Sequence, residues 1–243
     1  GVTHYNDLPF DPGYAPTVLS NWKLSNTAKL RASLSKAQLG TGYSTHVVIG
    51  DSLSSAFTGA AFDFPNSWWR KLWRSLVASG VPSAGTGRVA ISDSTAAPTS
   101  SIDPRFVRGG SWTHTTDTWL GSPSGGGTVT FNSDVAGTIV DVYYLAEGSR
   151  PNFTISVDGG APVTVVQSGG WRRAVYTISG LANTTHSVVI TAAAGAADSV
   201  MLMGCQVRQA SGLRFDNFGV KFGITAEWWN TNTDDLGPGK IAQ

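Results

Sequence analysis

The stretch HVVIGDSLSSAFTG, residues 46–59, sets a serine just past a short, almost wholly apolar run. A run so rich in β-branched residues, ended by Gly50, reads as a buried strand followed by a tight turn. The Gly-Asp-Ser triplet past it has two readings. One is an Asx-type turn in which Ser52 caps the next helix. The other is a nucleophilic hydroxyl at the carboxyl edge of a sheet, where α/β proteins bind ligands. The residues that follow start a helix whose first amides can stabilise an oxyanion, and this context favours the nucleophile.

The flanking sequence supports an α/β layer. Residues 1–16, GVTHYNDLPFDPGYAP, read as an extended arm. In LSNWKLSNTAKLRASLSKAQLG, Leu24, Ala28, Leu30, Leu34 and Leu39 recur near helical spacing and Gly40 marks a stop. PNSWWRKLWRSLVASG predicts an amphipathic helix, with Trp68, Trp69, Leu72, Trp73, Leu76 and Val77 on one face and Arg70, Lys71 and Arg74 on the other.

From about residue 104 the texture changes. TVTFN, GTIVDVYYLA, NFTISVDG, APVTVVQSG, RRAVYTISG, HSVVITAAAG and DSVMLMGCQV are short, partly alternating runs punctuated by Gly, Asn, Asp and Pro. They predict a β-sandwich like a jelly roll or carbohydrate-binding module, with Asp158, Gly159 and Gly160 forming a hairpin at positive φ. After residue 210, GLRFDNFGVKFGITAEWW returns to a strand, a loop and a short helical piece. The expected organisation is an arm and the first part of an α/β domain over 1–103, an inserted sandwich over 104–210, and a return to the α/β domain over 211–243.

Composition narrows the partners. Hydrophobic residues make up 41% of the 243, charged residues 14%, and the net charge is +1 with Lys and Arg scattered. Nothing there favours nucleic acid. Cys205 stands alone, which excludes an intrachain disulfide and zinc ligation by cysteines, and its apolar setting reads as a buried small hydrophobe. No stretch approaches the roughly 20 apolar residues of a membrane span. No cofactor and no metal are expected.

IGDSLSSAFTG resembles the first motif of the GDSL or SGNH family of serine esterases and lipases, and NFGVKFGITAEWW resembles the second. The sandwich, with FTISVDGGAPVTV and TTHSVVITAAAG, is similar to a module inserted in GDSL-type proteins of actinobacteria and their phages. The resemblance implies a flavodoxin-like, three-layer parallel-sheet domain interrupted by the sandwich. It makes Ser52 the nucleophile and one oxyanion amide, and Gly223 a second oxyanion amide, with Gly219 as the competing alignment. It also implies an extracellular or virion setting, with other phage tail proteins or further copies of the chain as partners.

The chain departs from the family in two places. It has no Gly-x-Asn-Asp pattern and no Asp-x-x-His, the pair that would supply and orient the base. Of its four histidines, His4 lies in the arm, and His114 and His186 lie in the sandwich. His46 would stand a strand length of roughly 15 Å from Ser52. Either the base lies beyond these residues or the hydrolase frame has become a scaffold. A parallel sheet with so few strands leaves an edge and a face to cover, which favours the first.

In the sandwich, Trp112, Trp119 and Trp171 sit among Gly, Ser and Thr and are candidates to stack on sugar rings, with Arg172 beside the last. Their alternative is to plug the ends of the sandwich. The expected activity is hydrolysis of acyl or acetyl esters on a cell-surface glycan or lipid. Its rival is a non-catalytic tail or structural protein that binds host glycan.

Overall fold

A computed structural model describes residues 28–48, 66–90, 103–110, 112–116, 119–122, 126–193 and 200–217. Among them lie two α-helices, α1 (Ala28–Gln38) and α2 (Trp68–Ala78), with β1 (Tyr43–Val48) between them. The remaining strands are β2 (Val89–Ala90), β3 (Phe106–Gly109), β4 (Thr113–Thr116), β5 (Trp119–Ser122), β6 (Thr128–Asn132), β7 (Gly137–Ala146) and β8 (Phe153–Val157). They continue with β9 (Val163–Val165), β10 (Arg172–Thr184), β11 (Ser187–Ala192), β12 (Val200–Arg208) and β13 (Gly212–Asn217).

Strands β2 to β12 form two antiparallel sheets. One has the order β10-β7-β12-β5-β4, with β2 on the flank of β12; the other has the order β3-β6-β11-β8-β9. Alternation decides which side chains meet between them. β7 sends Val140, Val142, Tyr144 and Ala146 inward, against Val129, Phe131, Phe153, Ile155, Val188 and Ile190 of the facing sheet. Phe106 stacks tilted on Phe131 at 4.9 Å, and Tyr144 meets Phe153 edge-on at 5.1 Å. Cys205 is fully buried in this core, and burial pushes its thiol pKa well up.

β1 and β13 pair in parallel, Tyr43 with Gly212 through Val48 with Asn217. One face of this pair carries Leu213 and Phe215, which pack with Ala37 and Leu34 of α1 and Trp69, Trp73, Leu76 and Val77 of α2. Gly40, at φ +68, ends the turn after α1 as expected. α2 is rotated from its expected orientation: Trp68 and Leu72 are exposed, and Arg70 is buried. The cause is ionic. Arg70 pairs with Asp134, which also binds Arg105 at 2.8 Å, and Arg105 in turn holds Asp103 at 2.6 Å.

The expected flavodoxin-like three-layer parallel-sheet domain is not what these residues build. The described chain is mostly β, its two large sheets are antiparallel, and its parallel pairing is confined to β1, β13 and a bridge from Ser83 to Leu213. A three-layer α/β domain needs helices on both faces of its sheet. Here the second face of the β1–β13 pair meets the six-stranded sheet through a polar layer.

Asp141, on the outer face of β7, is the centre of that layer and is 3% exposed. Its carboxylate accepts from Thr177 Oγ1 at 2.8 Å, Gln206 Nε2 at 2.6 Å, and Nε and Nη2 of Arg208. Arg208 Nη1 donates to the Tyr43 hydroxyl, which itself donates to the Gln209 carbonyl at 3.1 Å. The guanidiniums of Arg208 and Arg214 both lie over the Tyr43 ring, at 5.5 and 4.9 Å. A buried carboxylate is tolerated only when its lone pairs are filled, and this one has its donors from both flanking strands.

Beside the start of β7, Asp158 (φ +52) and Gly159 (φ +72) make the turn between β8 and β9. Asp158 accepts from the Ser187 amide at 2.8 Å and meets His186 Nδ1 at 2.6 Å. His186 Nε2 lies 3.0 Å from the carbonyls of Gly137 and Ala182, which only accept. Both ring nitrogens therefore donate, and the imidazolium satisfies every partner. Burial opposes that charge, but the bonds to Asp158 and the two carbonyls outweigh it and raise the His186 pKa. The His186 bond and the Ser187 amide lower that of Asp158.

Two outcomes follow from these contacts. Asp141→Leu leaves the buried Gln206 amide and the half-buried Arg208 without the carboxylate they donate to and should cost about 2 kcal/mol or more in urea unfolding; a loss below about 1 kcal/mol would contradict the role given to Asp141. His186 contributes fully below its ordinary value of 6.5 and loses that contribution as pH rises through the raised one. Asp158 contributes fully above 3.8 and loses its contribution as pH falls through its lowered value. The melting-temperature lead of the wild type over His186→Gln should be level between these two ordinary values and shrink as pH rises above 6.5. A lead that grows there would exclude the doubly protonated ring.

Candidate functional site

The two sequence motifs follow the two strands of the parallel pair. Val48, the last residue of β1, is paired with Asn217, the last of β13, so both strands end at the same edge. The GDS segment begins two residues after one, and NFGVKFG begins at the other. Ser52 and Gly223 themselves lie outside the described residues.

The edge is reinforced by residues 82–88, which run along β13. Leu213 donates to the Pro82 carbonyl at 2.7 Å and accepts from the Ala84 amide at 2.8 Å. Gly87, at φ +78, lies so close that a Cβ there would stand 1.9 Å from the Phe215 carbonyl oxygen. Only glycine fits both the conformation and the approach. The next amide, of Arg88, donates to Asp216 Oδ1 at 3.0 Å.

Electrostatics tell which end of the sandwich this edge approaches. Arg214 lies over Tyr43 beside Arg208, while Asp216 faces Arg88, whose guanidinium is 6.0 Å from the Tyr143 ring. Arg88 also feels the charge of Arg173, which pairs with Leu145 across β10 and β7. Progress along β13 thus parallels progress along β7, toward the connection after Ala146. Burial pulls the Arg88 pKa down to about 10, opposed by Tyr143 and Asp216, with Arg173 adding to the fall. Burial raises the Tyr143 pKa, and Asp141 and Asp216 add to the rise against Arg214 and Arg88.

The histidines whose side chains are described are engaged elsewhere. His46 stacks on Phe215 at 4.8 Å and 13°, and its Nε2 lies 3.0 Å from Ser44 Oγ, which is 2.6 Å from Ser33 Oγ. This serine–histidine pair has the spacing of a nucleophile and base. Ser44, however, is completely buried beneath α1, and burial lowers the His46 pKa, so the pair ties α1 to β1. His186 is committed to Asp158 and to two carbonyls.

The sandwich tryptophans divide. Trp112 is 3% exposed, and its indole N–H donates to the carbonyls of Gly109 at 3.2 Å and Thr128 at 3.1 Å. It plugs the core, contrary to the expectation that it offers a face to sugar: its N–H has acceptors only inside. Trp119 lies in β5, and its side chain is outside the described residues. Trp171 is exposed at the start of β10, and Arg172 beside it is exposed too. The structure adds two residues that sequence reasoning passed over, Glu147 and Arg150. Their spacing of three within EGSRPN was the available signal; Arg150 pairs with Glu147 and lies over the Trp171 ring at 5.0 Å. Among the described residues no three His, Cys, Asp or Glu side chains group as metal ligands, and no helix is long and apolar enough to cross a membrane.

No family model matches the chain, and no curated protein matches it. Among solved structures it is similar to a family two carbohydrate esterase from Cellvibrio japonicus, with 16% identity, 54% of this chain and 35% of that one covered, and a TM-score of 0.41. A peptidoglycan O-acetylesterase matches with 15% identity, coverage of 82% and 52%, and a TM-score of 0.49. A two-domain esterase active on acetylated mannans matches with 18% identity, coverage of 53% and 38%, and a TM-score of 0.40. The chain therefore spans between 35% and 52% of the length of these neighbours, all of them carbohydrate or acetyl esterases by name.

Proposed function

We propose that the protein is a serine esterase of GDSL type that cleaves acyl or acetyl esters on a glycan or lipid at a cell surface, in an extracellular or virion-tail setting. The observation that carries this reading is the register of the parallel pair, which starts the GDS segment and the NFGVKFG segment from one sheet edge. The division into 1–103, an inserted 104–210 and 211–243 belongs to the same reading.

In the proposed reaction, Ser52 Oγ attacks the acyl carbon as a base takes its proton. The oxyanion of the tetrahedral intermediate is held by the amides of Ser52 and Gly223. The alcohol then leaves with a proton, and water hydrolyses the acyl-enzyme to regenerate Ser52. His46 and His186 are not the base: His46 stacks on Phe215 with its Nε2 held by the buried Ser44, and both ring nitrogens of His186 are engaged with Asp158 and two carbonyls.

The test is hydrolysis of p-nitrophenyl acetate by the full-length protein, together with labelling by a fluorophosphonate. Wild type should hydrolyse the ester and take a single adduct on Ser52. Ser52→Ala should lose the adduct and about a thousandfold or more of the rate. Unchanged hydrolysis by Ser52→Ala would refute the assignment.

A further inference from the structure

The end of the sandwich that the β1–β13 edge approaches carries a second built feature. The connection between β7 and β8 and the connection between β9 and β10 are joined there by the Gly148 amide, which donates to the Gly169 carbonyl at 2.7 Å. Gln167, 6% exposed, locks the same two connections: its amide donates to Asn152 Oδ1 at 3.0 Å, and its own Oε1 accepts from the Glu147 amide at 3.4 Å.

Trp171 stands on this base with 46% of its surface exposed. An exposed indole is ordinarily free to change rotamer. Here Arg150 lies over the ring, and Arg150 is fixed by Glu147, Nε to Oε2 at 3.1 Å, with its own side chain only 10% exposed. The ring is thus oriented before any ligand arrives, and the ordering entropy of binding is reduced.

Arg172 is held in the same way. Its Nη1 donates to the Ser168 carbonyl at 2.9 Å, and Gly169, at φ +81, makes room: a Cβ there would stand 2.2 Å from that Nη1. Among the described residues no carboxylate pairs with Arg172, whereas the nearby Glu147 is taken by Arg150. Arg173, the next residue of β10, faces the other side of the sheet, near Arg88, so Arg172 is the cation that the strand sets beside the indole.

We propose that Trp171 and Arg172 form a binding platform for an acidic sugar, with the pyranose ring stacked on the indole and its carboxylate paired with the guanidinium. One ring and one cation match one acidic monosaccharide unit. A stable protein partner would instead need about 800 Å² of contact on each side. That the bound glycan is the one bearing the ester rests on the esterase reading above; the binding itself does not.

The test uses full-length Ser52→Ala protein with polygalacturonate and with its carboxyl-reduced form, neither carrying an ester, in affinity electrophoresis at low and at physiological salt. Polygalacturonate should be bound, more weakly as salt rises, and the reduced polymer about tenfold more weakly. Trp171→Ala and Arg172→Gln, both surface changes checked by melting temperature, should each weaken binding about tenfold. The platform is overturned if neither polymer binds, if the reduced polymer binds equally, if either variant binds like its parent, or if single-stranded DNA is preferred. Because the nucleophile is absent throughout, loss of glycan binding leaves the Ser52 assignment standing. Unchanged hydrolysis by Ser52→Ala likewise leaves the platform standing.

Discussion

The described part of the molecule is organised around the carboxylate of Asp141. Sheets stack readily through apolar faces, but the face that β7 and β12 turn toward the β1–β13 pair carries Asp141, Gln206 and Arg208. Removing these groups from water is unfavourable unless each finds a partner. Thr177, Gln206 and Arg208 supply the carboxylate with donors, and Tyr43 extends the network into the parallel pair. A polar layer of this kind specifies orientation more sharply than an apolar one, because sliding one sheet by a residue would break the bonds. A second clamp, from Arg70 of α2 through Asp134 to Arg105, fixes the helix to the sandwich.

The same layer explains what could not be read from the chain. In GTIVDVYYLA the aspartate falls on the side away from the sandwich core, in phase with Ile139, Tyr143 and Leu145, and LRFDN places Arg214 and Asp216 on the side away from Leu213 and Phe215. Alternation separates core from non-core; it does not separate water from another layer of protein. The family resemblance put helices on a face that here meets the six-stranded sheet, and alternation gave no signal against them. The strands of the sandwich, the span of α2 and the Asp158–Gly159 turn were legible because each rests on local chemistry: period, a stop glycine, or tolerance of positive φ. The rotation of α2 was not, since burying Arg70 depends on Asp134, 64 residues away.

Trp112 and Trp171 show how little the residue type decides. Both sit beside glycines, and from sequence both resemble exposed loop residues. Trp112 turns inward because two carbonyls await its N–H, and Trp171 stays out with a cation over its ring. Polar partners make that choice: Gly109 is only three residues from Trp112, but Thr128, 16 residues on, and Arg150, from the connection between β7 and β8, lie outside the local pattern.

The parallel pair joins residues from widely separated parts of the chain: Thr45 and Arg214, in register, are 169 residues apart. Closing an unstructured loop of that length carries an entropic cost of about 4–5 kcal/mol, which six residues of pairing on each strand would hardly offset. With the sandwich folded, the intervening chain is already compact and its ends are neighbours. The pair is thus subordinate to the sandwich in the folding hierarchy. An opening that begins in β7 or β12 separates the two motif-bearing strands together, while fraying at α1 or β1 leaves the sandwich whole.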